Sequence, residues 1–115
     1  MPVAHLKTNV ILAPEAAKAL ALKLSALMAR VLGKPEDYVL ASVGGGKALV
    51  FGGTADPAAL VRCGSLGLEP KACRSLTREL CAFLEAELGI SPARVFVDCV
   101  SLDPAMFGWK NETFS

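Results

Sequence analysis

The chain has 115 residues, of which 53% are hydrophobic and 20% charged, and its formal net charge is +1. This length and composition predict one globular domain, and the near-neutral charge gives no electrostatic bias toward nucleic acid. No uncharged apolar run approaches the roughly 20 residues of a membrane span, and no secretory signal is visible. We therefore expect a cytoplasmic protein that binds neither nucleic acid nor membrane.

The predicted elements follow one another as strand, helix and strand, twice over. In the first half, a strand at 2–9 (PVAHLKTN) precedes a helix over 14–33, and a strand follows at 38–43 (YVLASV). In the second half, a strand at 58–65 (AALVRCGS) precedes a helix over 70–89, and a strand follows at 95–102 (VFVDCVSL). Each helix starts with a proline, ends at a glycine and repeats its apolar residues with a 3.6-residue period.

The related segments LGKPEDYVLASV and LGISPARVFVDCV follow the two helices. They indicate one domain, residues 1–115, with an internal duplication of a β-α-β unit into halves at about 1–53 and 54–115. Within each half, a right-handed crossover makes the two strands parallel. We predict an α+β fold: a four-stranded mixed sheet with two helices on one face, plus short edge strands, one of them at 47–53 (KALVFGG).

The predicted strands are apolar at nearly every position, which is typical of strands buried on both faces of a sheet. Two helices from one small domain can cover only one of those faces. We therefore expect the other face to pack against identical subunits, whose number the pattern does not give.

The four cysteines contain no C-x-x-C pair, and the single histidine, His5, has no companion for a zinc site. Cys73 and Cys81 lie about two helical turns apart, too far for a bond. The sequence therefore predicts buried free thiols and no disulfide framework.

Pro2 directly follows the initiator methionine. If Met1 is removed, Pro2 carries a free secondary amine, and α-amino groups have a pKa of about 7.7–8.0 that burial lowers. Such a group can act as a general base or a nucleophile at neutral pH. The alternative is that Pro2 merely follows the start codon, and a retained Met1 would leave an inert amide.

Five segments together resemble the macrophage migration inhibitory factor and D-dopachrome tautomerase family over the whole chain. They are MPVAHLKTNV at 1–10, GKPEDYV at 33–39, FGGTADPAAL at 51–60, GISPARVFV at 89–97 and FGWKNETF at 107–114. The resemblance implies a β-α-β-β-α-β fold that assembles as a homotrimer, with pockets between subunits and no cofactor. It implies that Pro2 is the catalytic base for keto–enol interconversion of an aromatic α-keto acid, such as phenylpyruvate, or of a dopachrome-like compound.

The resemblance also implies the substrate-binding residues. Lys34 matches the lysine that holds the substrate carboxylate, and an ammonium there would lower the pKa of a neighbouring amine. Leu66 matches a position that contacts substrate through its backbone, and Ser65 beside it can polarise the substrate. The expected aromatic walls are Tyr38, Phe107, Trp109 and Phe114. The alternatives are a solvated lysine at a helix end, an ordinary loop hydroxyl and aromatic packing between subunits.

Phe96 and Asp98 depart from the family's animal cytokine, which has tyrosine and asparagine at these positions. Phe96 lacks a phenolic donor, and the Asp98 carboxylate would repel an anionic substrate and favour the protonated form of Pro2. We therefore expect tautomerase activity that is weak or shifted to higher pH. The cytokine also carries a C-x-x-C segment where this chain has AALV at 58–61, so thiol–disulfide exchange has no chemical basis there.

The alternative function is that of a cytokine-like signalling protein. Such a protein would keep the trimer, bind a protein receptor and have little or no catalysis. The resemblance permits this function because some family members act outside cells after export without a signal peptide.

Overall fold

The computed structural model describes all 115 residues. It contains two α-helices, a four-stranded sheet and a small C-terminal hairpin. The elements in chain order are β1 (Val3–Thr8), α1 (Pro14–Leu32), β2 (Leu40–Gly44), β3 (Ala59–Leu66), α2 (Pro70–Leu88), β4 (Val95–Leu102), β5 (Gly108–Trp109) and β6 (Glu112–Thr113). Neither helix has the length and hydropathy that crossing a bilayer requires.

The large sheet has the strand order β2-β1-β3-β4. β1 runs parallel to β2 and antiparallel to β3, and β3 runs parallel to β4. Val3 at the start of β1 lies opposite Leu40 in β2 and Gly64 in β3. The predicted four-stranded mixed sheet with two helices is thereby confirmed.

The two helices begin and end as their sequences predict. Pro14 and Pro70 occupy the first turns, where a missing N–H removes no helical hydrogen bond. Gly33 and Gly89 follow the last turns with φ of 63° and 67°, a left-handed conformation that suits glycine. Each helix buries one apolar stripe against the sheet, consisting of Leu20, Leu24, Leu27 and Met28 in α1 and Leu76, Leu80 and Leu84 in α2.

Burial along the strands of the protomer alternates more than the sequence suggests. Ala4, Leu6 and Val61 face the helices and are fully buried, whereas the residues between them face outward. This outward side, which we call the open face, carries His5 and Lys7 and also the residues Arg62, Phe96 and Asp98. The open face therefore mixes apolar and charged side chains, and its packing against identical subunits stays a prediction.

The edge strand predicted at 47–53 does not form. This stretch has only one isolated bridge, between Phe51 and Thr54, across a turn whose glycines, Gly52 and Gly53, have φ of 60° and 78°. Its carbonyl groups are occupied by distant side chains. Asn9 donates to the carbonyl oxygen of Leu49 at 3.1 Å, and Arg94 donates to that of Phe51 at 3.1 Å.

A disulfide joins Cys73 in the first turn of α2 to Cys99 in β4, with their Cα atoms 6.1 Å apart. The expectation of free thiols is therefore wrong for these two residues and correct for Cys63 and Cys81. The pair was not evident from the sequence because its spacing of 26 residues matches no local geometry. It forms because α2 crosses the face of β4 on which Cys99 lies.

Candidate active site

Pro2 lies at the start of β1 and is fully buried. Its carbonyl oxygen accepts a hydrogen bond of 3.1 Å from the Leu40 backbone N–H, which fixes this end of the chain against β2. A cavity of about 250 Å³ adjoins it. The cavity is lined by Met1, Pro2, Val3, Asp37, Tyr38, Val39, Leu40, Phe107, Gly108 and Trp109.

Two local elements bring aromatic side chains to this cavity. A single 3₁₀ turn at Glu36–Tyr38 carries Tyr38, and the C-terminal hairpin carries Trp109, with ring centroids 5.7 Å apart in an edge-to-face arrangement. Phe114 stacks against Trp109 at 6.3 Å and against Phe107 at 5.8 Å. Three of the four expected aromatic residues therefore line the cavity, and Phe114 supports two of them from behind.

The amino terminus lies in an environment that favours its neutral form. Burial lowers the pKa of the Met1 amino group below its ordinary value, and the positive charge of Lys34 lowers it further. Lys34 reaches this position because Gly33 ends α1 and the Lys34 backbone N–H still bonds to the carbonyl of Ala29 at 3.0 Å. Lys34 pairs with no carboxylate, so its charge remains available to an anion.

Lys34, Ser65 and Leu66 line a second cleft of about 390 Å³. The sheet register makes it a neighbour of the first cavity, because Val3 lies opposite Gly64 and the next residues along are Pro2 and Ser65. The Ser65 hydroxyl is buried and has no hydrogen-bond partner. Buried hydroxyls rarely stay unpaired, so this group has the capacity to bond a bound molecule.

Phe96 and Asp98 do not join the other candidate residues within one protomer. Phe96 lies opposite Leu60, which is itself opposite Lys7, at the end of the sheet remote from Pro2. Phe96 is 65% exposed and packs against Phe51 with ring centroids 4.7 Å apart. Asp98 is paired with Arg62 at 3.7 Å on the open face. Only a neighbouring subunit can bring these two side chains to a Pro2 corner.

The cavity also contains a residue that the sequence analysis missed. Asp37 lines it and is the only carboxylate that does so. The signal was present, since Asp37 lies beside Tyr38 within the GKPEDYV segment. A carboxylate here can accept a hydrogen bond from a protonated amine, so it belongs among the candidate site residues.

Comparison with known proteins identifies a family that matches the whole chain. The family model described as macrophage migration inhibitory factor (MIF) matches residues 1–115. Macrophage migration inhibitory factor from Rattus norvegicus is 32% identical over 118 residues, covering 100% of both chains, and the Brugia malayi homolog is 38% identical over 93 residues, covering 80% of this chain and 81% of its own.

Solved structures of similar proteins have the same fold. The macrophage migration inhibitory factor homologue from Prochlorococcus marinus has a TM-score of 0.91 at 28% identity, covering 98% of this chain and 99% of its own. The Trichinella spiralis protein has a TM-score of 0.88 at 33% identity, covering 97% of this chain and 99% of its own. The chain belongs to the macrophage migration inhibitory factor family, which is part of the tautomerase superfamily.

Proposed function

We propose that the protein is a cofactor-free keto–enol tautomerase that acts on phenylpyruvate-like or dopachrome-like compounds, with Pro2 as general base after removal of Met1. Membership in the family supports an isomerase at the coarse level. The observation that carries the finer proposal is the amino terminus itself. It adjoins an aromatic cavity beside an unpaired lysine, and burial and Lys34 lower the pKa of the Met1 amino group. We expect the same surroundings to act on the Pro2 nitrogen once Met1 is removed.

The proposed reaction needs only a proton carrier. The neutral Pro2 nitrogen takes a proton from the carbon next to the keto group, and the electron pair moves onto the keto oxygen as an enolate. The protonated nitrogen then returns the proton to that oxygen, which gives the enol, and the reverse sequence restores the ketone. Lys34 binds the substrate carboxylate, and the aromatic ring of the substrate packs against Tyr38 and Trp109.

Assembly completes the proposed site. The family resemblance implies a homotrimer, and in such an assembly Phe96 and Asp98 of one subunit would approach Pro2 of the next. Phe96 supplies apolar surface without a phenolic donor. Asp98 adds negative charge, and its ion pair with Arg62 offsets part of that charge. The side chains of Asp98 and Arg62 are both more than half exposed, so solvent weakens the charge of the pair further. We therefore propose low activity rather than none.

The test begins with the intact mass of the purified protein, because a retained Met1 excludes an amine on Pro2. Phenylpyruvate tautomerisation is then compared in the wild type, Pro2→Gly and Pro14→Gly. We expect Pro2→Gly to lose about a hundredfold in kcat/KM, because a flexible primary amine replaces the rigid ring nitrogen and no longer holds its lone pair toward the substrate. Pro14→Gly, an exposed proline at the start of α1, should keep its rate. Equal rates in all three proteins would contradict the proposal.

A cytokine-like function is the second candidate. Family membership supports it at the same coarse level, and the absence of a hydroxyl on Phe96 and of an amide at residue 98 favours it. The protein would then act through its assembled surface, in the cytoplasm or outside the cell after export without a signal peptide. Trimeric protein without measurable turnover of phenylpyruvate would support this function over catalysis.

A further inference from the structure

Three sulfur atoms lie together beneath α2, and none of them lines the cavity beside Pro2. The Cys73–Cys99 disulfide joins α2 to β4, and Cys63 Sγ lies 3.7 Å from Cys99 Sγ. Cys63 and Cys99 are register partners on β3 and β4. Because a disulfide sulfur carries no hydrogen, the Cys63 S–H is the donor in this contact.

A cleft of about 780 Å³ leads to the disulfide from outside. Its lining includes both Cys73 and Cys99 and the side chains of Arg74 and Arg78, which lie one turn apart on α2. Neither guanidinium is paired with a carboxylate, and Glu69 is the only acidic residue in the lining. The cleft therefore presents a disulfide to solvent in a positively charged setting.

We propose that Cys73, Cys99 and Cys63 form a thiol–disulfide exchange site for small anionic thiols of the glutathione class. This site is separate from positions 58–61, which carry no cysteine. It does not depend on the tautomerase proposal. Arg74 and Arg78 attract the negatively charged thiol, and the Cys73–Cys99 disulfide is the group that reacts with it. Cys63 donates a hydrogen bond to Cys99 from the core.

The exchange proceeds in two balanced steps. A thiolate attacks Cys73 Sγ, the Cys73–Cys99 bond breaks, and Cys99 leaves as a thiolate while the incoming sulfur bonds to Cys73. A second thiolate then attacks the sulfur of the small thiol, forms its symmetric disulfide and releases Cys73. The two protons of the small thiols end on Cys73 and Cys99, so the protein gains two electrons and the small thiols are oxidised.

The packing indicates which sulfur is attacked. Cys99 packs against the hydrophobic core, whereas Cys73 lies in the first turn of α2 at the cleft. Attack on Cys73 leaves the developing thiolate of Cys99 beside the Cys63 S–H. Burial, and then the charge of Asp98, raise the pKa of Cys63 to about 11, so this thiol stays protonated and donates to Cys99.

The first experiment measures how fast three thiols reduce the bridge in the wild-type protein, followed by alkylation and intact mass. At equal thiolate concentration, we expect anionic glutathione to react faster than neutral 2-mercaptoethanol, and cationic cysteamine to react most slowly. Arg74→Gln with Arg78→Gln should slow glutathione about tenfold and leave 2-mercaptoethanol unchanged. Lys18→Gln with Lys47→Gln, an equal loss of exposed charge elsewhere, should leave all three rates unchanged.

The second experiment tests whether Cys73 forms the mixed disulfide with glutathione. Cys99→Ser, treated with oxidised glutathione, should carry one glutathione on Cys73 by peptide mass spectrometry, and Cys81→Ala should behave as the wild type does. Cys63→Ala should slow glutathione reduction about tenfold, since the leaving thiolate loses its hydrogen bond.

Three results would overturn the proposal: a wild-type protein with four free thiols after air oxidation, equal slowing of all thiols by the arginine changes, or glutathione attached elsewhere than Cys73. Because none of these readouts involves tautomerisation, failure here leaves the Pro2 proposal unaffected.

Discussion

Cys63 is a free thiol that the folded core keeps protonated. It is buried within the cluster that includes Val61 and Leu80, and its pKa is about 11 in the fold. In an unfolded chain a cysteine ionises at about pH 8.5. Between these two values the native protein holds a proton that the unfolded chain releases, which makes the stability depend on pH.

We predict that the free energy of unfolding falls as the pH rises from about 9 to about 11, because the unfolded chain binds fewer protons than the native one there. The stabilisation that the protonated Cys63 thiol contributes is fully present below its pKa in the unfolded chain. It is lost as the pH rises through its pKa in the fold. Cys63→Ala should flatten this fall by about 1 kcal/mol, measured by urea unfolding at several pH values. Parallel pH curves for the two proteins would contradict the assignment.

Arg94, at the end of the 3₁₀ turn Pro92–Arg94, organises the connection between β2 and β3. Its guanidinium donates to the backbone carbonyls of Phe51, Thr54, Asp56 and Pro57 and lies over the Phe51 ring at 5.3 Å. Phe51 in turn packs against Phe96. The Arg94 side chain thus fixes the backbone of this connection, which is not paired with a strand.

Arg94→Lys should destabilise the protein by about 2 kcal/mol, because an ammonium cannot reach four carbonyls with the geometry of a planar fork. Arg78 is an exposed residue of α2, so Arg78→Lys provides the matched control and should change stability by less than about 0.5 kcal/mol. Thermal or urea unfolding measures both. A loss no larger at residue 94 than at residue 78 would refute the role given to this guanidinium.

Sequence reasoning succeeded for elements whose signals are local. Proline at the start and glycine at the end located both helices to within a residue, and apolar runs located the four strands. It failed where the deciding partner lies far along the chain. The carbonyls near Phe51 bond to Asn9 and Arg94, and Cys73 meets Cys99 only because α2 crosses β4.

The candidate site residues likewise fall into two groups, those that short segments of sequence identify and those that depend on distant partners. Pro2, Lys34 and Tyr38 were identified through short segments that resemble the family, and the structure brings them to one corner. Phe96 and Asp98 lie elsewhere in the protomer, so their relation to that corner would depend on subunit contacts, which no periodicity within one chain encodes. Asp37 was missed because a single acidic residue in a turn is ordinarily a solvated one.

At the level of the assembly, Asp98 is the residue by which one subunit would adjust the chemistry of the next. We predict that Asp98→Asn increases phenylpyruvate turnover and moves its acidic limb to lower pH, because a nearby negative charge raises the pKa of an amine. The rate should be followed from about pH 5 to about pH 9. Arg62 loses its partner in this variant, so Arg62→Gln serves as the control for the ion pair.

Sedimentation equilibrium should accompany these assays. Wild type and Asp98→Asn are both expected to be trimers, so that any change in rate reflects charge and not dissociation. An unchanged pH profile in a trimeric Asp98→Asn protein would remove the electrostatic argument, and a monomeric wild type would remove the interfacial site altogether.

The strand order leaves β2 and β4 with one neighbour each, so every protomer ends in two rows of unpaired backbone donors and acceptors. β4 is eight residues long and exposes Phe96 and Val100, the kind of margin on which other chains pair and aggregate. Correct assembly would shield these margins. A variant that folds normally but cannot associate is therefore expected to precipitate as its concentration rises instead of persisting as a dispersed single chain.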